Sequence, residues 1–304
     1  MNKIMTLAMT LAILPGVAHA QDLAKLQIGD NQKAFPESIT TTADGTIYAG
    51  SLMAGVVFKG MMGGATATAW TQPAKEGPPS IAGVLADEKS GLLWVCYVDL
   101  AAFAGGPALP SILRTYALAD GTLKNAYSLP DKSFCNDIAI AADGTAYVAD
   151  TSGARIMRLK PGATELETWY ADAALGGVDG ISFDASGALY INNVMSGKLH
   201  RVGIGADGAA AGLTEIATST PLKGPDGMRF GDDGKLYLAE NAAGQVDALT
   251  ITGDTADVKV LKGGFDTPTA VSKTGNTLFV GEAKFSQMQA ADPGQFFVYA
   301  VPLN

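Results

Sequence analysis

Histidine is almost missing from this chain: its 304 residues contain two, His19 and His200. A Ser-His-Asp triad, a His-Cys pair and a multi-histidine zinc site each need an imidazole beside other active groups. His19 falls in a segment expected to be removed. His200 stands alone in the alternating run KLHRVG, where a surface or half-buried strand residue is expected. Histidine-based chemistry is thereby excluded. Cysteine is equally sparse. Cys96 and Cys135 make no metal signature, and their spacing leaves one disulfide or two buried thiols open. Charged residues make up only 17%, and 30 acidic against 21 basic side chains leave a net charge of -9. Such a chain has no basic face to displace phosphate counterions, which excludes nucleic acid as a partner. Apolar runs of some twenty residues are absent, which excludes a membrane-inserted helix.

What is present begins with an export signal. Residues 1–20, MNKIMTLAMTLAILPGVAHA, carry Lys3, an apolar stretch from Met5 to Leu14 and the small-residue pattern Ala18-His19-Ala20. A positive start, a short apolar middle and small residues before the cut describe a cleavable secretory signal. The expectation is a soluble mature domain over 21–304, in the periplasm or secreted. With 47% hydrophobic residues it can bury a sizeable core, and 37 glycines imply many tight turns between short strands.

A repeat runs through the mature chain. PESITTTADGTIYAGS (36–51), IAGVLADEKSGLLWVCY (81–97), CNDIAIAADGTAYVADT (135–151), VDGISFDASGALYINN (178–193), PDGMRFGDDGKLYLAEN (225–241) and PTAVSKTGNTLFVGE (268–282) line up. Each has an alternating apolar run, a turn centred on Gly and an aromatic residue in a β-rich run. The aligned positions 37, 82, 136, 179, 226 and 269 step by 45, 54, 43, 47 and 43. A period in the forties with strand pairs in each unit predicts an all-β, six-bladed β-propeller with four-stranded blades. The last unit lacks a fourth strand, which AKLQIG (24–29) is expected to supply, closing the ring. Asp44-Gly45, Asp143-Gly144 and Asp233-Gly234 read as hairpin turns, and Tyr48, Trp94, Tyr147, Tyr190, Tyr237 and Phe279 as blade packing.

One ring of positions departs from this pattern. The residue just before each innermost strand is expected to face the tunnel mouth, and reading round gives Glu37, Ala82, Asn136, Asp179, Asp226 and Thr269. Three carboxylates and an amide aimed at one point repel unless protonated or neutralised. An all-oxygen donor set suits a hard divalent cation, and a wide cage with room for water suits Ca2+ better than Mg2+. Taken singly, each of these residues would be a loop cap. The second strands return to the same mouth and end at Asp150, Asn193, Asn241 and Glu282. These are either substrate contacts, Asn193 and Asn241 foremost, or solvated loop residues. The loops 99–111 and 284–294 are long enough to cover the mouth.

Pro36-Glu37, Asn136-Asp137, Asp179-Gly180 and Gly224-Pro225-Asp226-Gly227-Met228 resemble the gluconolactonase/regucalcin (senescence marker protein) family over essentially the whole mature chain. The resemblance implies a six-bladed, calcium-dependent propeller hydrolase, with Glu37, Asp179 and Asp226 as metal ligands and Asn136 as a further ligand and substrate-facing amide. It implies cleavage of a small-molecule lactone or ester by a monomer or dimer, the metal polarising the carbonyl. Asp226 would act as general base or attack directly. The family has Asn where Asp179 stands, and its sugar-lactonase members have Arg where Phe134 stands, so a less polar ring is expected as substrate. The alternatives are a non-catalytic binding propeller with a structural Ca2+, and a phosphotriesterase.

Overall fold

The computed structural model describes residues 23–30, 33–73, 75–102 and 106–303. The export signal read at 1–20 lies outside them. The chain is all-β, with short 3-10 turns between some strands. β1 (Ala24–Ile28) precedes a first set of β2 (Pro36–Thr41), β3 (Thr46–Ser51), β4 (Val57–Met61) and β5 (Thr66–Ala69). The second set is β6 (Ser80–Asp87), β7 (Leu92–Val98), β8 (Ile112–Ala117) and β9 (Leu123–Ser128). The third is β10 (Cys135–Ile140), β11 (Ala146–Asp150), β12 (Arg155–Leu159) and β13 (Glu167–Ala171). β14 (Val178–Phe183), β15 (Leu189–Asn193), β16 (Lys198–Ile204) and β17 (Ala210–Thr218) form the fourth. β18 (Pro225–Phe230), β19 (Leu236–Glu240), β20 (Gln245–Thr252) and β21 (Thr255–Gly263) form the fifth. The chain ends with β22 (Pro268–Thr274), β23 (Thr277–Glu282) and β24 (Phe297–Pro302).

Within each set the strands pair antiparallel in chain order, and β1 pairs antiparallel with β24, from Ala24↔Ala300 to Gln27↔Phe297. The N-terminal strand thus fills the fourth place beside β22, β23 and β24. Two short parallel pairings, Gln27↔Thr66 with Ile28↔Ala67 and Ala217↔Thr255 with Thr218↔Ala256, join outer strands of neighbouring sets into eight-stranded sheets. The first strands pack side by side in a closed circuit, β2 on β6, β6 on β10, β10 on β14, β14 on β18, β18 on β22 and β22 on β2. The result is a propeller-type fold around a central tunnel.

Burial follows distance from that tunnel. All of β3 is buried, because each second strand is sandwiched between neighbouring sets, whereas β9 is mostly exposed at the rim. The aligned aromatics pack across the interfaces, as in Tyr147 against Phe183 and Tyr190 against Phe230. The Asp-Gly hairpins form as expected. Asp44 and Asp143 accept the Thr46 and Thr145 N–H groups, and Gly45 and Gly144 take φ of 85° and 88°. Cys96 on β7 and Cys135 on β10 form a disulfide, tying the second set to the third. His200 is buried on β16 opposite Glu215, away from the tunnel, and burial holds its imidazole below the ordinary range.

Candidate functional site

The six aligned positions lie inside the first strands rather than just before them, each within a β-bulge. One extra residue sits between Pro36 and Ser38, Ile81 and Val84, Cys135 and Ile138, Val178 and Ile181, Pro225 and Met228, and Pro268 and Ala270. A bulge leaves that residue out of the ladder and re-aims its side chain. Glu37, Asn136, Asp179, Asp226 and Thr269 line one cavity on the tunnel axis, with about 10 Å³ of free volume, room for one water-sized species. Ala82 is buried and is not among its lining residues.

Close approach of neighbouring first strands depends on missing side chains after the bulged positions. A Cβ on Gly83 would sit 2.0 Å from the Asn136 carbonyl oxygen, and one on Gly180 would sit 2.5 Å from that of Asp226. Neither backbone oxygen can rotate away. Gly83→Ala is therefore expected to cost about 1–3 kcal/mol of stability, the usual penalty of overpacking. Urea unfolding checks this, and an unchanged midpoint would show that β6 and β10 can separate freely.

Of the four polar groups, Asn136 and Asp179 bond to each other and Asp226 to residues beside it. The Asn136 Nδ2 donates to Asp179 Oδ2 at 2.9 Å and to Thr151 Oγ1 at 3.0 Å, and the Thr151 hydroxyl donates to the Val178 carbonyl. Asp226 accepts the Gly227 N–H at Oδ1 and the Asn241 Nδ2 at Oδ2, 2.9 and 2.8 Å. Burial, then Asp179 and Asp137, push the Glu37 carboxyl well above the usual carboxylate range. Burial, then the Asp226 and Asp137 charges and a hydrogen bond with Asp226, do the same for Asp179. Asp226 is raised by burial and by Glu37, while Asn241, Gly227 and the bond with Asp179 oppose this.

This arrangement qualifies the expected metal centre. Among the described residues no group of three or more His, Cys, Asp or Glu side chains is placed to hold a metal ion. The amide nitrogen of Asn136, turned toward Asp179 Oδ2, takes a position that a ligand oxygen would need. The donor chemistry nevertheless fits a hard cation. The carboxyls are pushed toward protonation, and Arg229, the one basic residue lining the cavity, is committed to Asp137.

Asp137 and Arg229 escaped the sequence reading. Arg229 Nη1 and Nη2 donate to Asp137 Oδ2 and Oδ1, both at 2.6 Å. In the aligned first strands Arg229 stands where the others hold Thr40, Leu85, Ala139, Ser182 and Ser272. Asp137 stands where they hold Ser38, Gly83, Gly180, Gly227 and Ala270. Two charges at positions otherwise free of charge were the available signal.

The second-strand ends divide. Asn241 touches Asp226, but Asn193 is engaged by loops, donating to the Ala174 and Gly176 carbonyls before β14 and accepting the Met195 and Ser196 N–H groups of the turn that follows it. Its neighbour Asn192 faces the site strands instead, accepting the Gly180 N–H and donating to the Asp226 carbonyl. Asp150 pairs with Arg155 and accepts the Phe134 and Gly153 N–H groups, and Glu282 accepts the Asp266 N–H. Of the two candidate covering loops, Asp99 ties Ala101 and Leu109 in the first, and the Lys284 Nζ ties Pro293 and Gln295 in the second.

Behind Asn241, Gln245 bridges Glu240 and the fully buried Asp247, whose carboxyl burial and Glu240 push up to about 8. The native state therefore binds a proton that the unfolded chain releases near pH 4, so stability falls as pH rises from about 4 to about 8. Asp247→Asn is expected to flatten that fall by about 2 kcal/mol between pH 5 and 8, read from melting profiles at both pH values. Parallel profiles for variant and wild type would refute it.

No protein-family model matches the sequence, and no curated protein sequence matches it. Solved structures do. Regucalcin from Agrobacterium tumefaciens, described as a calcium-binding protein, is 17% identical, with a TM-score of 0.65 over 92% of this chain and 94% of that one. Virginiamycin B lyase from Staphylococcus aureus is 20% identical, with a TM-score of 0.61 over 86% and 82%. The PQQ-bound aldose sugar dehydrogenase of Streptomyces coelicolor is 13% identical, with a TM-score of 0.62 over 91% and 96%. At these identities the likeness shows the propeller-type fold alone.

Proposed function

We propose that the protein is an exported, metal-dependent hydrolase of a small lactone or related ester, a six-bladed propeller with one working site on its axis. The observation that carries this is the convergence of Glu37, Asp179, Asp226 and Asn136 on a cavity the size of a single ion. Buried carboxylates without a free cationic partner are functional-site candidates, because holding them together works against stability. Export is supported by the Cys96–Cys135 disulfide, which suits an oxidising compartment.

In this reading Glu37, Asn136, Asp179 and Asp226 would hold a divalent cation, Ca2+ foremost. When bound, such an ion supplies Lewis-acid stabilisation to the oxygen that becomes negative as an ester carbonyl is attacked. The remaining work falls to the protein. Asp226 takes the proton from the attacking water at its carboxylate and returns it to the alkoxide oxygen as the ester C–O bond breaks. Asn241 and the Gly227 N–H hold that carboxylate in place. Asn136, steadied by Thr151, orients the ester.

A second reading, a non-catalytic propeller, is favoured by one observation: the polar groups satisfy one another inside a very small cavity. An assay of the purified protein against aldono-, aryl and aliphatic lactones, with and without chelator, separates the two. Chelator-sensitive cleavage of at least one lactone supports the hydrolase, and no turnover of any refutes it.

A further inference from the structure

We infer that Asp137 and Arg229 are positioning residues, a single ion pair that sets the spacing of the three site groups Asn136, Asp179 and Asp226. The inference rests on the reading that those three are the working groups, but its test needs no turnover. Asp137 on β10 and Arg229 on β18 meet across the tunnel past the intervening β14, 92 positions apart in sequence. Their remaining hydrogen bonds fall at one register position in three successive first strands. Asp137 Oδ1 accepts the Ile138 N–H at 2.8 Å and Oδ2 accepts the Ile181 N–H at 3.1 Å. Arg229 Nη1 donates to the Met228 carbonyl at 2.7 Å and to the Ile181 carbonyl at 3.4 Å. Ile138, Ile181 and Met228 each lie two residues after a site group and close its bulge.

A bulge has no ladder bond of its own at the extra residue, so its aim depends on what holds the flanking backbone. Here one guanidinium fork and one carboxylate hold all three. Asp137 is buried and Arg229 largely so, with side-chain exposures of 5% and 15%, which limits competition from solvent. Arg229 also faces a recess lined by Leu85, Ile138, Ile140 and Phe183, outside the carboxylate cavity, so the pair stands as a partition between the two spaces. Lysine would not serve. A single ammonium has no planar fork to meet both carboxylate oxygens while reaching two carbonyls.

The side-chain amides of the site report on this directly in the full, ligand-free protein. In Arg229→Met, hydrogen exchange of the Asn136 and Asn192 side-chain amides, followed by 15N NMR, should accelerate at least about tenfold. That of Asn193, which donates only to the Ala174 and Gly176 carbonyls of the connection before β14, should stay within about twofold and serves as the control. Arg229→Lys should give the same pattern more weakly, and it supplies the readout if the methionine variant does not fold. Unchanged Asn136 and Asn192 exchange, or equal acceleration at Asn193, would overturn the inference and leave the pair a general structural contact. Loss of lactone turnover in wild type would sink the proposed hydrolase without touching this result.

Discussion

Asp226→Asn is expected to lower lactone or ester hydrolysis by about 10²–10⁴-fold while leaving the fold intact, the usual contribution of a positioned general base. The carboxylate is held from two sides, by the Gly227 N–H and the Asn241 amide, both donors. An asparagine there presents one oxygen and one NH2, so it loses one of these bonds and cannot take up a proton. Asp179→Asn should cost less, since an asparagine oxygen can still accept the Asn136 amide that Asp179 Oδ2 accepts here. Without the cation, burial and Glu37 push the Asp226 carboxyl well above the ordinary range, so cation loading, and with it turnover, should rise with pH as that proton is released. Steady-state rates across pH for the three proteins test this. Equal rates for wild type and Asp226→Asn would remove Asp226 from the chemistry, and with no chelator effect would favour the binding module.

Breaking the disulfide should cost about 4 kcal/mol, the chain-entropy value for a closed loop of this length. For a domain of this size that is a fall of roughly 8–16 °C in Tm. The bond joins Cys96, at the centre of β7, to Cys135, the residue before Asn136, with Cα atoms 5.2 Å apart. The Cys135 N–H also donates to the Ser111 hydroxyl, so the start of β10 is held from two sides. The double variant Cys96→Ser, Cys135→Ser, and wild type in reductant, should melt together and well below oxidised wild type. Superimposable melting curves with and without reductant would show that the crosslink adds nothing.

Much of the architecture was readable from particular residues. Gly45 and Gly144 marked hairpins because only a residue at ease with positive φ turns there. AKLQIG was recognisable as the missing strand because the last repeat ended one strand short. The site was legible as an alignment: Glu37, Asn136, Asp179 and Asp226 occupy one repeat position, and the repeat carries them to one axis. The choice between Asn192 and Asn193 was not legible. Adjacent strand residues point to opposite sides, and two asparagines in a row give no pattern from which to choose. Nor was the hydrogen-bonding state of the carboxyls, which depends on what surrounds them.

Periodicity and turn chemistry, which act over a few residues and recur, were enough by themselves to specify stranded units and the acidic positions at their inner ends. Only the closed ring decided which groups meet. It joins Asp137 to Arg229 and Cys96 to Cys135, sets Asn136 against Asp179, and turns Asn193 toward the connection before β14. The reason is that these partners lie far apart along the chain. Their bonds and charges take their strength from being brought out of water together, which no local stretch of sequence can express.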